Sequence, residues 1–192
     1  MKKIAITGGI GSGKTYISNM FSKLGISTYN SDKQAKKIIN SNIDVRDDLI
    51  NNFGKDCFVN GIFNKKYIST LIFNDKNNLK LINSIVHPFV HDDYFNWLLI
   101  QKSAYTIYES AIIYENGVEY NFDKIIGVIS PRNLRNTRLS HRGMDNLSIR
   151  NIIGNQISDS TIANLCDFVI YNDLNHDLLN DINDIHSKIL NY

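Results

Sequence analysis

Apolar residues recur along this chain in two rhythms. Four short, nearly unbroken apolar runs, at residues 3–7, 104–108, 124–129 and 167–171, predict buried strands, and Ile26-Ser27-Thr28-Tyr29 predicts a further short one. Between them the spacing lengthens to that of helices. Ile17, Met20, Phe21 and Leu24 line one face of a helix that Gly25 ends. Ala35, Ile38 and Ile39 mark a second, and Leu178, Ile182, Ile185 and Ile189 mark a closing helix within residues 174–190. Residues 41–103 read as helical in four stretches, 45–53, 67–73, 79–86 and 89–100, punctuated by Gly54 and Asn60-Gly61 and holding no strand. His87-Pro88 interrupts them, with Pro88 placed to open a new helix. Strands that alternate with helices predict right-handed crossovers and helices on both faces of a parallel sheet. The expected architecture is α/β, a doubly wound five-stranded parallel sheet in the order 2-3-1-4-5.

Composition narrows this picture without changing it. The chain has 192 residues, 43% hydrophobic and 21% charged, which suits one α/β domain with insertions. A formal net charge of +2 is too weak to argue for nucleic acid. No apolar run approaches the roughly 20 residues of a membrane span. Cys57 and Cys166 form no metal-type pair and read as small buried hydrophobes in a reducing compartment. Met1-Lys2-Lys3 runs straight into the first strand, and a leader could not be cleaved there without destroying the glycine-rich loop behind it. The expectation is a cytoplasmic protein, a monomer or at most a weak oligomer, without membrane or nucleic-acid partners.

The chemistry lies between the first strand and the first helix. Gly8-Gly9-Ile10-Gly11-Ser12-Gly13-Lys14-Thr15 fits the phosphate-binding loop, Gly, four residues, then Gly-Lys-Ser/Thr, in its required strand–loop–helix context. Glycines let backbone N–H groups of Gly11, Ser12 and Gly13 turn towards an anion, helped by the helix N-terminus and the N–H of Tyr16. Lys14 supplies a point charge for the β- and γ-phosphates of ATP, and Thr15 a hydroxyl for Mg²⁺. The fold is therefore of the P-loop NTPase type. Asp32 comes after the second strand, at the edge where open α/β sheets bind ligands; it is either a general base or a helix N-cap. Glu109 and Glu115 come after the third strand, where an acid often holds Mg²⁺; for Glu115 a solvated carboxylate before the Asn116-Gly117 turn is the alternative. His87, by its residue context alone, reads as a surface histidine before a helix break. Arg132, Arg135, Arg138, Arg142 and Arg150 fill a polar helical segment, with Arg138 and Arg142 on one face. A row of guanidinium groups suits a transferring phosphoryl group, although most charge runs are solvated faces. The segment lies where P-loop kinases carry a lid.

Taken together these residues resemble the dephospho-coenzyme A kinase family along nearly the whole chain. The resemblance is carried by Thr7 to Thr15, Asp32 with Ala35, Phe53-Gly54 with Gly61, His87-Pro88, Ile112-Ile113-Tyr114-Glu115, Arg138 with Arg142, Gln156 and Asn172. It implies ATP-dependent phosphorylation of the ribose 3′-hydroxyl of dephospho-coenzyme A, with Mg²⁺. Asp32 is then the base, Lys14, Arg138 and Arg142 hold phosphates, and Asn172 joins the nucleotide side. Thr7, His87 and Glu115 lie on the substrate side, and Thr15 with Glu109 serves the metal. The implied organisation is a core of residues 1–30, 104–131 and 164–192, a substrate-binding helical insertion over about 31–103, and a lid over about 132–160. The chain departs from the family at Ala111, usually Pro, at Lys36 and Ile152, usually Arg, and at Ser158-Asp159-Ser160, where basic residues are usual. Another small-molecule P-loop kinase shares every catalytic feature. A GTPase needs an Asn-Lys-x-Asp motif, which this sequence lacks.

Overall fold

The computed structural model describes residues 1–192, side chains included except those of Phe73, Asn74 and Lys76. Its contacts divide the chain into two compact units, Met1–Asn30 with Gln101–Tyr192, and Ser31–Ile100.

In the first unit, β1 (Lys2–Thr7), β2 (Ser27–Asn30), β5 (Tyr105–Glu109), β6 (Lys124–Ile129) and β7 (Phe168–Tyr171) form one sheet, all strands parallel, in the order β2-β5-β1-β6-β7. That is the expected order 2-3-1-4-5. Register sets which side chains meet at the carboxyl edge: Glu109 of β5 stands opposite Ile6 of β1 and Asn30 of β2. Because side chains alternate along a strand, Ile4 and Ile6 join one apolar layer and Ala5 the other. The first layer is closed by Ile17, Met20 and Phe21 of α1 (Lys14–Lys23) and by Ile182, Ile185 and Ile189 of α9 (Leu178–Asn191). The second holds Ile113 and Ile125, with Tyr108, Tyr114 and Phe122 packed against them. Helix α1 ends as expected. Gly25 takes φ 83°, and the N–H groups of Gly25 and Ile26 return to the carbonyls of Ser22 and Phe21. Between β6 and β7 run α6 (Arg132–His141), α7 (Asn146–Gly154) and α8 (Asp159–Leu165). No sequence pattern announced α8, whose seven residues bury only Ile162.

The second unit consists of α2 (Ser31–Ser41), α3 (Ile43–Phe53), α4 (Lys65–Asn74) and α5 (Lys76–Leu99), the last packed against the other three. Two expectations fail here. The stretch read as free of strands carries a small hairpin, β3 (Phe58–Val59) and β4 (Ile62–Phe63), turning at Asn60-Gly61 with φ 51° and 79°. Two-residue strands are too short to show a period. And Pro88 opens no new helix; it sits inside α5, which runs unbroken through it for 24 residues.

Pro88 removes a helical N–H and crowds the preceding turn, at a cost of about 3 kcal/mol. Burial offsets it. Ile82, Val86, Val90 and Tyr94 recur at steps of four across the proline and are all buried, each contributing roughly 2 kcal/mol. Pro88→Ala restores the donor aimed at the Ser84 carbonyl. We expect it to raise the unfolding free energy by about 1–3 kcal/mol, read from the urea midpoint. Lower stability in that variant would show that the ring itself is needed in the packing.

Candidate active site

Loop 8–15 is shaped by what holds its carbonyl groups. Asn172 comes directly after β7. Its Nδ2 donates to the Ser12 carbonyl at 2.7 Å, and its own N–H donates to Ile129 at 2.7 Å. Arg138 of α6 donates through Nη1 to the carbonyls of Gly11 at 3.2 Å and Ser12 at 3.3 Å and to Ser130 Oγ at 3.0 Å. Its Nη2 donates to the Asn172 carbonyl at 3.4 Å. Arg135 Nε donates to the Ile10 carbonyl at 2.9 Å. In a trans peptide the C=O and the next N–H point in opposite directions. Pinning the carbonyls of Ile10 and Ser12 therefore turns the N–H groups of Gly11 and Gly13 the other way, which is what an anion nest requires. Gly13, at φ 100°, has to be glycine twice over, since a Cβ there would also overlap the Asn172 amide.

Lys14, at the start of α1, is buried and donates through Nζ to the Gly8 carbonyl at 2.8 Å and to Gly9 at 3.4 Å. Thr15 Oγ1 donates to Glu109 Oε1 at 2.5 Å, and Asn30 Nδ2 donates to Glu109 Oε2 at 2.7 Å. The register of β5 thus delivers a buried carboxylate to the second residue of α1. Because the Thr15 hydroxyl donates here, its lone pairs remain for a cation. Two hard oxygen donors suit Mg²⁺, which takes few protein ligands and keeps its waters. Among the described residues no three His, Cys, Asp or Glu side chains form a metal cluster.

The remaining candidate residues are spread over both units. Thr7 is buried at the end of β1 and Tyr16 is exposed on α1. Arg142 is exposed at the C-cap of α6, past the turn that carries Arg138. Glu115 is exposed and accepts the N–H of Ile157 at 3.0 Å. In the second unit, Asp32 is the second residue of α2, inside its first turn, so the N-cap alternative does not describe it. His87 is half-buried in α5. Burial lowers its pKa, and the charge of Asp32 works in the opposite direction.

Three residues with clear contacts had no assigned task. Arg135 is buried and paired with Asp159, and Gln156 Oε1 accepts the N–H of Ile10 at 2.8 Å. The helical period offered one signal: Arg135 lies three residues before Arg138 and so shares its face. A cavity of about 280 Å³, lined by Arg132, Asn136, Asn146, Ile149 and Arg150, opens beside α6 and α7.

A phosphate loop between β1 and α1, at the carboxyl edge of a parallel sheet in this order, with arginines from the β6–β7 connection on the loop, defines the P-loop kinase class. Residues 2–177 match the family model for dephospho-CoA kinase (CoaE). The chain belongs to the dephospho-CoA kinase family. It is 35% identical to the dephospho-CoA kinase of Bacteroides fragilis strain YCH46 over 175 residues, covering 89% of this chain and 84% of that one. It is 33% identical to that of Gamma-proteobacterium EBAC31A08 over 190 residues, covering 97% and 96%. Its fold is shared with the solved dephospho-CoA kinase of Campylobacter jejuni, with a TM-score of 0.69 at 22% identity over 100% of this chain and 98% of that one.

Proposed function

We propose that this chain transfers the γ-phosphoryl group of ATP to the ribose 3′-hydroxyl of dephospho-coenzyme A, giving coenzyme A and ADP, the last step of coenzyme A synthesis. The observation that carries the reading is the family match over residues 2–177 on a chain whose phosphate loop is intact. The test is ADP release with a panel of acceptors: dephospho-coenzyme A, nucleosides, nucleotides and sugars. Faster release with dephospho-coenzyme A than with every other acceptor is expected; equal release across the panel rejects the assignment.

In this reading the N–H groups of Gly11 to Tyr16 cradle the ATP phosphates. Lys14 exchanges its carbonyl partners for phosphate oxygens, and Arg138 and Arg142 stabilise charge as it spreads over the transferring group. Asp32 accepts the proton of the attacking hydroxyl. Thr7, His87 and Glu115 serve the acceptor, within or beside a substrate-binding insertion over about 31–103. Asn172 keeps the loop in its binding shape. Residues 132–160 act as a lid, with Leu139 and Ile149 buried as its anchors. We place the protein in the cytoplasm, as a monomer or at most a weak oligomer. No helix among the described residues is long and apolar enough to cross a membrane.

Mg²⁺ is the metal this donor set fits, held by Thr15 and, directly or through water, Glu109; when bound it neutralises charge on the phosphates. Thr15→Ala removes one of the two oxygens. We expect its turnover to need several-fold more Mg²⁺ for half-saturation while the loop stays folded. A magnesium titration at saturating ATP checks this, and an unchanged requirement separates Thr15 from the metal.

A further inference from the structure

Ile10, at the tip of the phosphate loop, is held at both its peptide groups by the lid segment. Gln156 Oε1 accepts its N–H at 2.8 Å and Arg135 Nε donates to its carbonyl at 2.9 Å. The same Arg135 points Nη1 between the two oxygens of Asp159, at 3.1 and 3.2 Å. Its side chain is only 6% exposed, so an ion pair in which one partner is buried fixes its direction. Gly9 belongs to the same arrangement. Its φ is not in the left-handed region, so the backbone does not demand glycine there. A Cβ at Gly9, however, would lie 2.6 Å from Arg135 Cζ and 2.9 Å from Nη1. The missing side chain makes room for the guanidinium. Asp159 also accounts for one departure from the family pattern: an acid stands where basic residues are usual, and here it holds an arginine.

We propose that Arg135, oriented by Asp159 and admitted by Gly9, is a positioning residue for phosphate binding: it fixes the Ile10–Gly11 peptide so that the Gly11 N–H faces the nucleotide. The proposal rests on the kinase reading but concerns the loop alone. Its consequence is that the loop takes its binding shape only while residues 135–159 are docked, so opening of that segment loosens the grip on phosphate.

The experiment measures ATP-analogue affinity without acceptor, together with melting temperature and the split between kcat and KM. Loss of one charge-assisted hydrogen bond to the loop is expected to weaken ATP binding by about ten- to a hundredfold in Arg135→Ala. Asp159→Ala should weaken it by several-fold and Asp159→Glu should restore it. Because Asp159 and Gly9 act through Arg135, the double variants Arg135→Ala/Asp159→Ala and Gly9→Ala/Arg135→Ala should bind no worse than Arg135→Ala alone. Multiplying effects, or lower melting temperatures with unchanged affinity, overturn the proposal. If Arg135→Ala does not fold, Asp159→Ala decides: weaker binding at a normal melting temperature supports it, and normal binding rejects it. A wild-type protein that binds ATP in this manner yet ignores dephospho-coenzyme A would defeat the proposed function and leave this inference standing.

Discussion

Asp32→Asn is expected to lower turnover by roughly 10²–10⁴ with little change in ATP affinity. A ribose hydroxyl is a poor nucleophile and has to be aligned with the γ-phosphorus as its proton leaves. A carboxylate can orient that hydroxyl and accept the proton; a carboxamide of the same size can do only the first. Asp32 lies two residues beyond Asn30, the last residue of β2, and in the first turn of α2. Since it is not the helix cap, asparagine there costs the fold little. Melting temperature is therefore expected to stay within a few degrees of wild type. Nearly normal turnover in a folded Asp32→Asn protein would remove Asp32 from the mechanism and leave it a polar surface residue.

Lys14→Ala is expected to cost at least about 3 kcal/mol of barrier, a fall in kcat of about 10²–10³. The ammonium group is aimed by α1, whose first residue it is, and is kept from solvent. It already holds the carbonyls of Gly8 and Gly9, so its removal strips the loop of both a phosphate charge and a brace. The brace predicts a secondary effect on stability, about 1 kcal/mol, because a buried carbonyl loses a donor. Turnover and urea unfolding measured on the same preparation separate the two. A folded Lys14→Ala protein that turns over normally contradicts the assigned charge contact.

Strand order was legible because β1, β5, β6 and β7 are mostly apolar runs, β2 follows directly on the glycine that ends α1, and each crossover is long enough for a helix. The phosphate loop was legible because its chemistry is local: glycines, lysine and threonine act within eight consecutive residues. What stayed hidden depends on contacts distant in sequence. The Asn60-Gly61 turn was visible, but the two-residue strands it joins were not. Pro88 signals a break, and only the apolar face buried on both sides of it keeps α5 whole. Arg135 looks like its neighbours in a basic run; that it turns inward to Ile10 while Arg132 and Arg142 stay exposed is decided by packing. The partners of Gln156 are backbone groups, the N–H of Ile10 and the carbonyl of Ala111, which no side-chain pattern encodes.

The loop at residues 8–15 also has a place in time. Apart from Lys14, its braces come from Arg135, Arg138, Gln156 and Asn172, between 125 and 160 positions further along the chain. Helix α1 is local, but β1 is paired by β5 and β6, and these contacts and the braces need chain that is made much later. During synthesis the first strand, loop and helix are thus a phosphate loop in sequence well before they are one in shape. ATP that binds the finished loop adds its affinity to the stability of the whole native state.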